Sequence, residues 1–395
     1  MKIFKPSLPR NRNNEMQLLN KYGRILSPKI GSNSNSNLLV EGVYEPCDGY
    51  GAGTQALLLG LDKITNVSFY PKTIGSTSGT SERRIKELIT KNSNGFKKHL
   101  IVFKPEEDVK TNLPRRVDSE LFIYTMFETD IPPKVFLDRL NKNYKKVIVP
   151  CQSNAESLLA SGLKTPVSVV PMGIRTDIYK TQERKYPVHR PFRFLLKFTH
   201  HPLLDDRKNA KTVLDLFIER FKDSKDVELI LKIEKENNTY FSSLPNNIKV
   251  LSGRYSYDQV FDLYKNTDCF ITASRGEGYG LGAREAMATN MPVILTNYLG
   301  LADVAKPEYS FPLNDYKLVP CIMGQDFADK FNYGNKDFGF WADPSKDEIV
   351  FNMEYVMENY VGDALIRSTY ASDYINKKES YTEAAKLIAK ELDCK

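Results

Sequence analysis

The sequence predicts an α/β protein of two parallel-sheet domains, and three observations carry that expectation. Short apolar strands alternate with helical stretches along most of the chain, which is the pattern of a parallel sheet with helices on both faces. A charged, proline-bearing stretch from Thr181 to Arg193 breaks the alternation and reads as a linker. The length of 395 residues allows two cores, since single domains usually hold about 100 to 200 residues.

The chain opens with a basic segment, residues 1–36, in which Lys2, Lys5, Arg10, Arg12, Lys21, Arg24 and Lys29 face Glu15 alone. It ends in the polar run GSNSNSN and is expected to be a solvated or loosely docked extension. That segment holds most of the formal charge of +7, so the nearly neutral remainder argues against a nucleic-acid partner. A basic segment also suits the anionic surface of a membrane. The first residues lack an apolar signal-peptide core and no run of about 18 apolar residues occurs, so a cytoplasmic protein is expected. Cys47, Cys151, Cys269, Cys321 and Cys394 are too scattered for a zinc site and read as reduced thiols.

The first domain is expected over residues 37–185. Strands are predicted at Asn37 to Val43, Val67 to Tyr70, His99 to Phe103, Leu121 to Met126, Lys146 to Val149 and Val167 to Val170. Helices are predicted at Ser81 to Thr90, Lys134 to Leu140 and Asn154 to Ser161. After the first strand, Gly49, Gly51 and Gly53 precede an apolar helix from Ala56 to Leu61. A glycine loop in that place either cradles phosphates or is an ordinary tight turn.

The second domain is expected over residues 186–375, beginning with a strand from Phe192 to Phe198. In THHPLLDDRKNAKTVLDLFIERF, Val213, Leu216, Phe217 and Phe221 recur at helical spacing, with Arg207 and Lys208 at or before the first turn. Cations there oppose the helix dipole by a few tenths to about 1 kcal/mol unless an anion sits at the N-terminus. The pair therefore points to a bound phosphate, with Lys208 the stronger candidate. His200 and His201 share the loop, and loop polarity alone accounts for them. Strands from Val227 to Ile233 and Ile248 to Leu251 follow, Phe311 to Ile322 reads as irregular, and residues 376–395 hold an amphipathic helix, Ser380 to Leu392.

The stretch TDCFITASRGEGYGLGAREAMATNMPVILTNYLGLADV concentrates the chemistry. It reads as a strand from Cys269 to Ala273, a loop with Gly276, Gly278, Gly280 and Gly282, a helix around Arg284 to Ala288, and a strand from Met291 to Leu295. Ligands of parallel sheets bind beyond the carboxyl ends of strands, where Glu277 falls, and Glu285 enters the helix eight residues later. Two carboxylate acceptors beside a glycine-lined helix N-terminus suit a sugar phosphate.

Ser274, Glu277, Gly278, Tyr279, Gly280, Leu281, Glu285, Ala286, Met287, Ala288, Pro292 and Val293 occur here in order, with Asn290 where glycine is usual. This run resembles the signature of retaining glycosyltransferases of the GT-B fold, in particular glycosyltransferase family 4, with its Glu-x7-Glu donor site. Val149-Pro150-Cys151 and Val170-Pro171-Met172-Gly173-Ile174 resemble the end of that family's N-terminal domain, and Arg207-Lys208-Asn209 its diphosphate-binding R-K-G.

The resemblance implies two Rossmann-like domains facing across a cleft, with the C-terminal helix crossing back to the first. It implies transfer of a hexose from a UDP- or GDP-linked donor to a hydroxyl of a glycan, glycoprotein or glycolipid, with anomeric retention. Lys208, with Arg207 or Arg275, would stabilise the leaving diphosphate, as would backbone N–H groups from Tyr279 to Leu281 near Gly278 and Gly280. Glu277 would bind sugar hydroxyls, Glu285 the ribose, and Gly253 to Tyr257 would pass over the nucleobase. Gly49 and Gly51 would belong to the loop that closes over donor phosphates and acceptor. With fixed cations on the diphosphate and no evident D-x-D site, neither a metal nor another cofactor is expected.

One departure stands out. Many members place a histidine against the transferred sugar, and the sole histidine before the linker is His99, at the head of a predicted strand. Glu128 is the polar residue best placed to take over, although it reads equally as a helix-capping acid. The missing histidine favours a second reading, a non-catalytic binder of sugar nucleotides or glycans. A nicotinamide-dependent oxidoreductase would need an acidic ribose ligand about 20 residues past the first glycine turn, and Phe69 to Thr73 offers none.

Overall fold

The computed structural model describes residues 37–43, 49–71, 80–91, 96–102, 119–186, 190–198, 207–234, 243–321 and 338–394. The basic segment 1–36, Cys47, His200 and His201 lie outside them.

The first sheet contains β1 (Leu38–Gly42), β2 (Val67–Pro71), β3 (Lys98–Val102), β4 (Glu120–Tyr124), β5 (Lys146–Val149) and β6 (Val167–Val169), parallel and ordered β2-β1-β3-β4-β5-β6. Its strands are apolar nearly throughout, as strands covered on both faces must be. Helices α1 (Gly49–Leu61), α2 (Thr80–Thr90), α3 (Lys134–Asn143) and α4 (Gln152–Ala160) connect them. The second sheet repeats the plan in the order β12-β11-β10-β7-β8-β9. Its strands are β7 (Phe192–Lys197), β8 (Val227–Lys232), β9 (Ile248–Leu251), β10 (Cys269–Thr272), β11 (Val293–Thr296) and β12 (Phe311–Leu313).

Between these strands lie α5 (Ala210–Phe221), α6 (Tyr257–Asn266) and α7 (Leu281–Ala288), followed later by α8 (Lys346–Glu358), α9 (Leu365–Lys378) and α10 (Tyr381–Glu391). Helix α6 starts where it does because Ser256 and Gln259 form a reciprocal capping box. One apolar cluster runs from Leu38, Leu57 and Leu100 through Met172 to Phe270, Met287 and Ile388, so the two domains share a core.

Helix α10 crosses back onto α1. A Cβ at Gly60 would meet the Tyr381 carbonyl oxygen at 2.5 Å and Ala385 Cβ at 2.6 Å, so glycine permits this approach. Glu391 fastens the far end to Lys146 at 2.8 Å and to Ser168 at 2.7 Å.

Two expectations are corrected. The stretch expected to be irregular contains β12, an edge strand of the second sheet, and β13 (Tyr316–Pro320), which pairs antiparallel with β14 (Phe340–Pro344). Pro312 and Pro320 hid them, since proline is tolerated at edge positions. Second, the glycines expected in a loop before the first helix lie inside it, because α1 begins at Gly49. A Cβ at Gly53 would fall 2.1 Å from Met172 Cε, so that glycine serves close packing rather than a turn.

Candidate active site

Loop 273–280 leaves the carboxyl end of β10 and is tied to four other segments. Arg275 N–H donates to the Arg207 carbonyl at 2.7 Å, and Ser274 Oγ donates to the same oxygen at 3.0 Å. Ala342 N–H of β14 donates to the Arg275 carbonyl at 2.9 Å. Gly300 N–H donates to the Glu277 carbonyl at 2.9 Å. Asn154 Nδ2, from the first domain, donates to the Gly278 carbonyl at 2.7 Å, and the Cys151 thiol at 3.3 Å. Gly280 caps α7 at φ +80°, a conformation that costs a side chain dearly.

Glu277 sits at the centre, 9% exposed. Its Oε1 is 2.5 Å from Lys208 Nζ and its Oε2 3.4 Å from Arg207 Nη1. Arg207 Nη1 also lies 3.3 Å from Glu128 Oε1 and donates to the Gly276 carbonyl at 2.9 Å. The cations that the sequence placed before α5 thus meet carboxylates from both domains. Asn209 caps α5 in the left-handed conformation with no side-chain capping bond, and the helix has no acid in its first turn. Burial disfavours the Glu277 charge, but Lys208 and Arg207 outweigh it and hold the carboxyl below its ordinary range.

Glu285 lies deeper. Its Oε2 is 3.0 Å from Lys197 Nζ and accepts from the Tyr264 hydroxyl at 2.7 Å. Burial, then the Glu285 charge, pushes the Tyr264 and Tyr179 hydroxyls well above the usual range, so both stay protonated donors. Motif reading missed Lys197, Tyr264 and Asn154. Lys197 closes the strand FRFLLK, which also carries Arg193, so charge does not single it out there, and no spacing marks the other two.

Several expected site residues are placed differently. The Tyr279 side chain is 2% exposed and donates to Glu379 at 2.7 Å, turned into the core. Tyr257 opens α6 with its hydroxyl on Gln55 of α1 at 3.3 Å, inside the domain interface. Arg275 pairs with Asp343 of β14 at 2.7 Å, whereas Arg207 and Lys208 meet at Glu277. Leu281 begins α7 and is partly buried. Gly49 is exposed and Gly51 buried in the first turn of α1, and Tyr50 between them reaches the Met126 carbonyl at 3.5 Å. Met126 in turn abuts Gly278, where a Cβ would meet its sulfur at 2.5 Å. The α1 N-terminus therefore lies near the loop.

His99 is 2.9 Å from Glu41 and both side chains are 2% exposed. It sits near the start of β3, away from the carboxyl ends that line the cleft. Among the described residues, no group of three or more His, Cys, Asp or Glu is disposed to hold a metal ion. No described helix is long and apolar enough to cross a membrane.

Residues 206–333 match the sequence family described as Glycosyl transferases group 1. A probable sucrose-phosphate synthase of Thermosipho melanesiensis is 28% identical over 157 residues, 36% of this chain and 35% of that protein. An uncharacterized glycosyltransferase of Methanocaldococcus jannaschii is 32% identical over 128 residues, 29% of this chain and 36% of the other. The matches thus span about a third of these relatives. Solved structures are similar over nearly the whole chain. Anabaena HepE in complex with UDP-glucose has a TM-score of 0.61 at 12% identity, covering 90% of this chain and 99% of the other. Sucrose-phosphate synthase from Thermosynechococcus elongatus gives 0.62 at 12% identity, covering 90% and 97%. An Escherichia coli structure titled trehalose-6-phosphate, bound with UDP-2-fluoro glucose, gives 0.58 at 12%, covering 90% and 98%. The chain has the GT-B fold, two parallel-sheet Rossmann-like domains with the last helix returning to the first.

Proposed function

We propose that this chain is a retaining glycosyltransferase of family 4, moving a hexose from a UDP- or GDP-linked donor to an acceptor hydroxyl. The observation that carries the reading is the meeting of Lys208, Arg207 and Glu277 in an interdomain cleft, with Glu128 reaching Arg207 from the opposite domain. The group 1 match covers Arg207, Lys208 and Glu277, and two of the similar structures are titled with UDP-sugars bound.

Cleaving the donor separates charge between an oxocarbenium-like sugar and a leaving diphosphate. Lys208 and Arg207 would stabilise the diphosphate, together with N–H groups at the start of α7. Fixed cations in this role make a divalent ion unnecessary. Glu277 would accept bonds from sugar hydroxyls and favour positive charge at the anomeric carbon, and Glu285, braced by Tyr264 and Lys197, would hold the ribose. No residue is assigned as a nucleophile. A cleft between two domains excludes water and so limits donor hydrolysis. The acceptor is a hydroxyl of a glycan, glycoprotein or glycolipid, and work at a cytoplasmic membrane face is compatible with the basic residues 1–36.

The test titrates UDP, GDP and ADP, each against its monophosphate, into the wild type and Lys208→Ala. One diphosphate should bind about tenfold or more tightly than its monophosphate, with that preference lost in the variant. Absence of any diphosphate preference in the wild type contradicts the reading. The location of His99 favours a second reading, a non-catalytic binder. Such a protein would bind a nucleotide sugar and never consume it.

A further inference from the structure

Arg284 lies on α7 immediately before Glu285 and is completely buried. Its Nε donates to Glu379 Oε2 at 2.7 Å. Its Nη1 donates to the Tyr279 carbonyl and, at 2.9 Å, to the Gly300 carbonyl. The guanidinium also covers the Tyr279 ring at 4.0 Å, and the Tyr279 hydroxyl completes the cluster on Glu379 at 2.7 Å. Burial opposes the Arg284 charge, but Glu379 and then Tyr279 raise its pKa above the ordinary arginine value.

Buried ion pairs are commonly replaceable by apolar side chains without loss of stability, so packing alone does not explain this one. The loop gives a reason. The carbonyls of Glu277, Gly278 and Tyr279 are held in turn by Gly300 N–H, by Asn154 and Cys151, and by Arg284. A peptide unit is planar, so fixing the carbonyl of one residue fixes the N–H of the next. The three anchors thereby orient the N–H groups of Gly278, Tyr279 and Gly280. The cluster also touches the domain crossover. Glu379 accepts from Ile174 N–H through its own carbonyl at 2.8 Å, and Tyr381 N–H donates to the Ile174 carbonyl at 2.8 Å. Ile174 lies on the segment leaving the first domain.

We infer that Arg284, Glu379 and Tyr279 form a positioning cluster that sets the loop peptides meant for the donor diphosphate and couples them to the crossover between domains. The inference rests on the transferase reading.

The test compares the wild type with Arg284→Met/Glu379→Leu, which leaves no buried charge, and with Glu379→Gln, which keeps shape and an acceptor for Tyr279. Melting temperature, donor kcat and KM, UDP affinity and hydrogen exchange of amides 278–281 are followed. The double variant should melt near the wild type while kcat falls by about 100-fold and those amides exchange faster. Glu379→Gln should recover part of the rate. Wild-type kcat, KM and amide protection in the double variant overturn the inference. If the double variant does not fold, Glu379→Gln carries the comparison: faster amides 278–281 at an intact fold support the inference, and unchanged amides overturn it. A wild type that neither binds UDP nor consumes any donor sinks the transferase reading instead, and the amide exchange still decides whether the cluster orders the loop.

Discussion

Glu277 keeps its charge at 9% exposure because Lys208 and Arg207 flank it. Replacing it with glutamine keeps the volume and removes the charge, so donor turnover should fall by about 100-fold to 1,000-fold while UDP affinity holds; steady-state kinetics with parallel UDP titration reads both. The depressed Glu277 pKa also has a sign. A carboxyl held below its ordinary value of 4.5 contributes stability above that pH and loses it as acid protonates the folded state. The stability gap between wild type and Glu277→Gln, read as urea midpoints, should therefore shrink below pH 4.5; a constant gap contradicts the pairing. At this scale the sequence was legible where partners lie in one short motif, as for Glu277 with Gly278 and for Arg207 with Lys208. It was silent on Lys197, Tyr264 and Asn154, which arrive from 88, 21 and 124 residues away from their contacts. A motif locates backbone but not side-chain direction, and so Tyr279 was expected at the donor although its ring turns to Glu379.

Helix against helix, α10 packs closely on α1 at Gly60. Gly60→Val would push a side chain against the Tyr381 carbonyl and Ala385, and should cost about 1 to 3 kcal/mol in urea unfolding. Gly49→Ala, in the same helix but with nothing within 4 Å of the new methyl, should be neutral or stabilise by up to about 1 kcal/mol. Equal losses in the two variants would contradict the packing described. Alternating strands and helices were legible because each is a local pattern. The β13–β14 pair was not, because β13 is largely exposed and the strand it pairs with, where Asp343 faces Lys317, lies beyond a long intervening stretch of chain. The glycines at 49 to 53 misled for a related reason: glycine ordinarily weakens a helix, and only contacts with Met172 explain Gly53 there.

Across the whole molecule, two of the segments that join the domains bear on the arrangement of the cleft. One is the crossover, where Ile174 pairs with Ser380 beside the Arg284 cluster. The other is the segment around β14, from which Phe338 and Trp341 enter the first domain's core with Phe127 and Phe136. Trp341 Nε1 donates to the Glu128 carbonyl at 3.1 Å, and Phe340 N–H to Asp130 at 2.6 Å. This strap holds Glu128 near Arg207. Trp341→Ala should loosen the cleft, giving a larger radius of gyration in solution scattering and slower turnover; unchanged scattering and rate would show that the β14 segment does not set the domain arrangement.

The measurement that bears most directly on the central claim is release of nucleoside diphosphate from a panel of UDP-, GDP- and ADP-sugars, offered with glycan and lipid acceptors. Wild type, Glu277→Ala and Lys208→Ala are compared, each checked for an intact fold. The account predicts that one donor is consumed by the wild type and by neither variant. Consumption undiminished in both variants would contradict the assigned site, and a donor that raises the melting temperature yet is never consumed would leave a binding protein in place of a transferase.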